Sequence, residues 1–261
     1  MFLTNLYYIR SSYKHIINNA ISMPYRRLPN TDTARIKAMQ TAFQKGEDLP
    51  PNKLAFSPKL FVELRKLLTL FESNINLYRD SVNIQNSKSK NYSEVLCKAR
   101  LYLTHFIRVM NMAVTRGDLP AETRTYYGID INDSTVPSLI YENELVNWGK
   151  KIIEGEELRI RKGRNPITNP TIAVVKVWYE NFLQALYFNN AQAKKNRDLM
   201  EKNDVIRKDV DKLILEIWND VEKNHAEYPE DERKTMNEEY GIVYFYRKTE
   251  LVKPEYSILA S

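Results

Sequence analysis

An apolar period of 3.6 residues begins at Asn30 and recurs almost to the C-terminus, and this constrains the chain more than any other feature. Asn30-Thr31-Asp32 offers capping oxygens to a helix whose apolar face is Ile36, Met39, Ala42 and Phe43, with Gly46 as its expected stop. Ser57-Pro58 reads as an N-cap followed by proline at the first helical position, where the missing N–H costs nothing. From there Leu60, Leu64, Phe71, Ile75 and Val82 form a stripe along one helix. Asn86–Lys90 reads as a polar turn, and Asn91 with Glu94 as a capping box opening a third helix that carries Val95, Leu103 and Phe106. Leu119-Pro120 starts a short fourth helix that ends at Tyr127-Gly128-Ile129.

The plan then returns. A helix with Leu145, Trp148 and Ile152 stops at Gly155, Asn169-Pro170 repeats the cap-then-proline device, and Tyr228-Pro229 opens a last helix closed by Tyr240-Gly241-Ile242. The offset is 109 between Ile36 and Leu145, 112 between Pro58 and Pro170, and 113 between the two Tyr-Gly-Ile endings. It shifts only across loops, as insertions into a duplicated unit do. The expected fold is therefore all-α, a tandem duplication of a three-to-four-helix unit forming two similar helical bundles. The divisions are 1–23 (an arm or an early start), 24–137 (first repeat), 138–250 (second repeat) and 251–261 (tail). Ile242–Arg247 reads as a short extended segment able to pair with Ile129–Ile131.

Composition narrows the alternatives. Seven glycines are too few for phosphate loops or a hairpin-rich all-β fold, and a single cysteine excludes an internal disulfide framework. The net charge is +6, but residues 1–30 hold Arg10, Lys14, Arg26 and Arg27 with no acid, so the remaining body is close to balanced. The apolar run Phe2–Ile9 precedes the charges, the reverse of a secretory signal, and Met23 reads as an alternative start. No run is long and apolar enough for a membrane span, and a cytoplasmic location is expected.

The residues that could carry chemistry are scattered. His15, His105 and His225 lack ligand spacing, Cys97 has no neighbouring base in sequence, and Glu154-Gly155-Glu156-Glu157 reads as solvated helix-end charge. No nucleotide-loop, zinc or nucleophile-elbow motif occurs, so no cofactor or metal is expected. The densest polar group is Arg159, Arg161, Lys162 and Arg164, expected in a loop as a contact for a protein partner or for phosphate. Seventeen tyrosines, several at helix ends, suit interaction surfaces and bundle caps alike. Tyr25–Asp32, Asn165–Pro170 and the Tyr-Gly-Ile endings together resemble an uncharacterised family of bacterial helical proteins over Pro24–Leu251. That resemblance implies no activity, cofactor or site residue, and the arm before Met23 departs from it. The expected function is a non-enzymatic scaffold or protein-interaction module, with nucleic-acid binding through residues 159–164 as the alternative.

Overall fold

A computed structural model describes residues 25–245. The arm 1–23 and the tail 251–261, with His15 and the last residues of the expected extended segment, lie outside them. The described chain is mostly helical: α1 (Asp32–Asp48), α2 (Pro58–Thr115), α3 (Glu142–Arg161), α4 (Ile172–Asn224) and α5 (Glu230–Glu238). Short 3-10 turns occupy Pro51–Lys53 and Ala121–Tyr127. The one small sheet pairs β1 (Tyr25–Arg26) antiparallel with β2 (Tyr244–Phe245), Tyr25 opposite Phe245. The extended segment after Gly241 therefore exists, but its partner is the strand before α1 and not Ile129–Ile131.

Several expected boundaries move for local reasons. No turn occurs at Asn86–Lys90: α2 runs unbroken for 58 residues. Neither Gly nor Pro follows Pro58 in that span, and Asn, Ser and Lys each cost a helix only about 0.7 kcal/mol or less. Glu94, expected in a capping box, pairs instead with Lys98 at 2.9 Å. Helix α4 is continuous in the same way, 53 residues long. Ser57 caps α2 as expected, its hydroxyl accepting from the Leu60 N–H at 3.3 Å. Asn169-Pro170 does not cap α4: the peptide is cis, Asn169 has φ 59°, and the helix opens at Ile172.

Gly46 and Gly155 lie inside α1 and α3 and are not stops. Their role is space. A Cβ on Gly155 would stand 2.3 Å from the Tyr126 carbonyl oxygen, and one on Gly46 would stand 2.4 Å from the Phe61 ring.

By packing, the chain divides into two compact units. The described part of unit 1 comprises residues 25–75 and 202–245, and unit 2 is Asn76–Glu201. Each draws on both expected repeats, so the packed units are not the sequential halves 24–137 and 138–250. The core of unit 1 gathers Met39 from α1, Leu64 and Phe71 from α2, and Val210, Ile217 and Trp218 from α4. That of unit 2 gathers Phe106 and Met110 from α2, Tyr127, Leu145 and Ile152 from α3 and its approach, and Phe182 from α4.

Candidate interaction groove

In unit 1 the chain leaves α5 through Tyr240-Gly241-Ile242. Gly241 has φ 80°, a left-handed conformation that side-chain-bearing residues rarely adopt. The turn lays the backbone against α1: a Cβ on Gly241 would be 3.0 Å from the Ala38 carbonyl oxygen and 3.3 Å from Thr41 Cβ. Because α1 presents the small residues Ala34, Ala38 and Thr41 on this side, with Lys37 beside them, a groove of about 510 Å³ remains between α1, the segment Arg27–Asn30 and β2. Trp218, 1% exposed, contributes to its lining. In its lining Leu28, Val243 and Phe245 are 39–48% exposed.

Polar contacts fix the strand side of this groove. Arg26 donates to Glu222 at 2.9 Å and to Asn219 at 2.6 Å. The Tyr244 hydroxyl donates to Glu222 at 2.8 Å and accepts from the Asn237 amide at 2.8 Å. Burial and the Glu222 carboxylate push the Tyr244 phenol up to about 12, although the Asn237 hydrogen bond works the other way. Asn237 in turn meets His225 Nδ1 at 2.8 Å, both side chains buried. On the α1 side Arg35 makes a two-bond fork to Asp211, and Arg207 makes another to Asp32. The Arg207 hydrogen bond outweighs desolvation and holds the Asp32 carboxyl below its usual range.

Unit 2 has a turn of the same kind at Tyr127-Gly128-Ile129, with Gly128 at φ 71°. Here the facing side chain is Lys151, its Cδ 3.8 Å from a Cβ placed on Gly128 and its ammonium 4.6 Å from the Trp148 ring centroid. Behind the turn lies a buried ionic cluster. Glu156, 0% exposed, accepts from the Tyr127 hydroxyl at 2.5 Å, from Arg159 at 2.8 and 2.9 Å, and from the Ile167 N–H at 2.8 Å. Burial alone would raise the Glu156 carboxyl, but the three hydrogen-bond donors hold it below its ordinary range. The Tyr127 phenol is raised by desolvation and by Glu156.

This placement corrects the reading of the basic cluster. Arg159 is 1% exposed and bound to Glu156, Tyr127 and the Asn165 carbonyl, so it serves the interior. Arg161 and Arg159 belong to α3 and not to a loop. Arg161, Lys162 and Arg164 are exposed, and Lys162 stacks over Tyr126 at 5.0 Å. The four cations thus form no single surface patch. Glu156, expected among solvated acids, is the partner that buries Arg159. His105 and Cys97 are exposed on α2, and no group of three or more His, Cys, Asp or Glu able to hold a metal ion occurs among the described residues. No helix among them is long and apolar enough to cross a membrane.

The groove residues were not singled out from sequence. The available signal was the row of small residues Ala34 and Ala38 on α1 beside an aromatic-rich segment, a pattern that also describes tight helix packing. No family model, curated protein or solved structure matches the chain.

Proposed function

We propose that this protein is a non-enzymatic interaction module built from a duplicated helical unit, with the unit 1 groove as its binding surface. The observation that carries the reading is the groove itself. Its volume of about 510 Å³ is similar to that of other grooves of about 540 and 600 Å³, and what marks it is its lining, where Ala34, Ala38, Trp218, Ile242 and Phe245 meet. Exposed apolar side chains cluster around it where a monomer normally scatters them.

The duplication is supported by matched positions. Helices α1 and α3 start at Asp32 and Glu142, 110 residues apart, and Thr41 and Lys151, which face the two left-handed glycines, share that offset. Along α2 and α4 the offset is 111 throughout: Leu64 with Val175, Phe71 with Phe182, Leu103 with Ile214 and Met110 with Val221 are all buried pairs. Two side chains even hydrogen-bond their own counterparts, Ser81 to Gln192 and Gln85 to Asn196, each 111 residues apart. Superposing unit 1 on unit 2 at these offsets tests the duplication. Failure to bring Met39 onto Gly149 and Phe71 onto Phe182 together rejects it.

The binding role is tested by affinity purification from native cells with three forms of the chain. These are the unaltered protein, Leu28→Asp with Val243→Asp at the groove, and Tyr187→Asp on the exposed surface of unit 2. The same proteins should co-purify with the first and third and be lost from the second, whose thermal stability is retained. Equal recovery with all three forms would overturn the reading.

A further inference from the structure

We infer that the groove accepts a short acidic peptide segment with apolar side chains, presented by a protein partner; this rests on the groove being the binding surface. The cations of unit 1 differ in whether they are answered. Arg26 has Glu222, Arg35 has Asp211, Lys45 has Glu239 and Arg207 has Asp32. The two at the groove, Arg27 and Lys37, are exposed and, like Lys59, Arg65 and Lys66 elsewhere in unit 1, have no carboxylate within ion-pair distance among the described residues. Arg27 is held over the Phe245 ring at 5.5 Å, so its guanidinium is positioned at the edge of an apolar wall. The one acid in the lining, Glu238, has Lys234 at 3.9 Å. A ligand entering here meets two unanswered positive charges flanking apolar surface, which selects carboxylates attached to apolar groups.

Two features favour a peptide over a free amphiphile. Among the described residues the sheet beside the groove has two strands, so there each strand keeps one edge without a strand neighbour. An extended peptide can add to such an edge through its backbone while its alternate side chains enter the groove. The apolar wall is also partly exposed to solvent at Leu28, Val243 and Phe245, where a chain-like lipid would leave part of its tail in water. The corresponding place in unit 2 shows how such a site is closed: Trp148 and Lys151 stand there, ring against ammonium, in place of Ala38 and Thr41.

The probe is a fluorescein-labelled twelve-residue peptide alternating Leu or Phe with Glu, compared with its Gln counterpart by fluorescence anisotropy on the full chain. The Glu probe should bind more tightly than the Gln probe, by up to about fivefold for each cation engaged. The advantage should shrink with added salt and vanish in Arg27→Gln with Lys37→Gln. Ala38→Trp should abolish binding of both probes, and Leu28→Asp, an exposed change that leaves the fold intact, should do the same if the tryptophan is not tolerated. Equal affinity for both probes, with both lost in Leu28→Asp, would overturn the acidic specificity while leaving the groove as the binding surface. Binding indifferent to Ala38→Trp and Leu28→Asp would sink the groove reading itself. Displacement of the probe by laurate at lower concentration than by unlabelled peptide would identify a lipid-like ligand and overturn the inference. A dimer seen by sedimentation velocity and lost in Leu28→Asp would overturn it in favour of a second copy.

Discussion

Each unit holds a Tyr-Gly-Ile turn with a left-handed glycine, and the two are packed with different chemistry. In unit 1 the tyrosine of the left-handed turn, Tyr240, sits edge-on to Phe56 at 6.0 Å, and the end of α4 meets α5 through the hydrogen-bonded His225 and Asn237. In unit 2 the corresponding Tyr127 bonds the buried Glu156–Arg159 pair, and the end of α2 meets the following 3-10 turn through Asn111 and a buried Arg124, 2.9 Å apart. Counted from the helix starts Asp32 and Glu142, Gly46 in α1 and Leu49 just after it stand where α3 has Glu156 and Arg159. A helical frame of this kind accepts an aromatic or an ionic interior, provided the charges are fully partnered. A buried ion pair roughly breaks even against apolar packing, whereas half of one is expensive. The difference therefore makes unit 2 the more sensitive to single changes.

The largest effect should come from splitting that pair. Arg159→Leu or Glu156→Leu alone should destabilise unit 2 by about 3–5 kcal/mol, and the double change by much less. Urea denaturation can follow each unit by its own tryptophans, Trp148 and Trp178 in unit 2 and Trp218 in unit 1, once the others are replaced by Phe. The two units need not unfold together. Acid probes the same pair without mutation. Because the folded Glu156 carboxyl lies below its ordinary range, its contribution is complete above the usual glutamate titration and is lost as pH falls through the folded value. High salt should shift the acid response of the half-exposed Asp32–Arg207 pair in unit 1 and leave that of buried Glu156 nearly unmoved.

Next in size is a matched pair of glycine changes. Gly155→Ala drives a methyl into the Tyr126 backbone carbonyl, and a cost of about 1–3 kcal/mol or more is expected. Gly46→Ala meets the ring of Phe61, a side chain that can turn aside, so its cost should be distinctly smaller. Equal costs would remove this contrast between α1 and α3.

Unit 1 has its own weakness of the opposite sign. Asn203 is 0% exposed, and neither of its side-chain polar atoms has a hydrogen-bond partner among the described residues. Asn203→Leu should therefore stabilise unit 1 by about 1–3 kcal/mol, read from the Trp218 transition. A loss of stability would show that the amide has a partner, such as an internal water.

The smallest effect is expected where the sequence drew most attention. Replacing Arg161, Lys162 and Arg164 together with Gln should change stability by no more than about 0.5 kcal/mol. Adding Arg159→Gln to the set should bring a loss of several kcal/mol, separating the three surface cations from the interior one.

Much of the secondary structure was legible, and the reasons are local. Thr31 and Ser57 cap the helices that their positions suggest, and the apolar stripes name the residues that are buried. A stripe states which face of a helix is covered but not by what. That is why the unbroken α2 could be misread at Asn86–Lys90, and why units that each combine residues from 24–137 and 138–250 were not anticipated. Arg159 shows the same limit at a single residue. Glu156 lies one turn away in sequence, but the burial of both depends on Tyr127 and Asn165, which only the fold brings together. The groove was illegible for a related reason, since it is made by small residues and by what they fail to fill.

The division of the chain also bears on synthesis. Unit 2 is continuous, so all its contacts are available once Glu201 has left the ribosome. Unit 1 is split around it, and α1 waits with an unfinished apolar face until residues 202–245 emerge. During that interval, at roughly 5–20 residues per second, the nascent chain carries one closed core and one exposed half-core. A chaperone that shields apolar helices would have its natural client in α1 and the start of α2, and the groove could form only after β2 has left the ribosome.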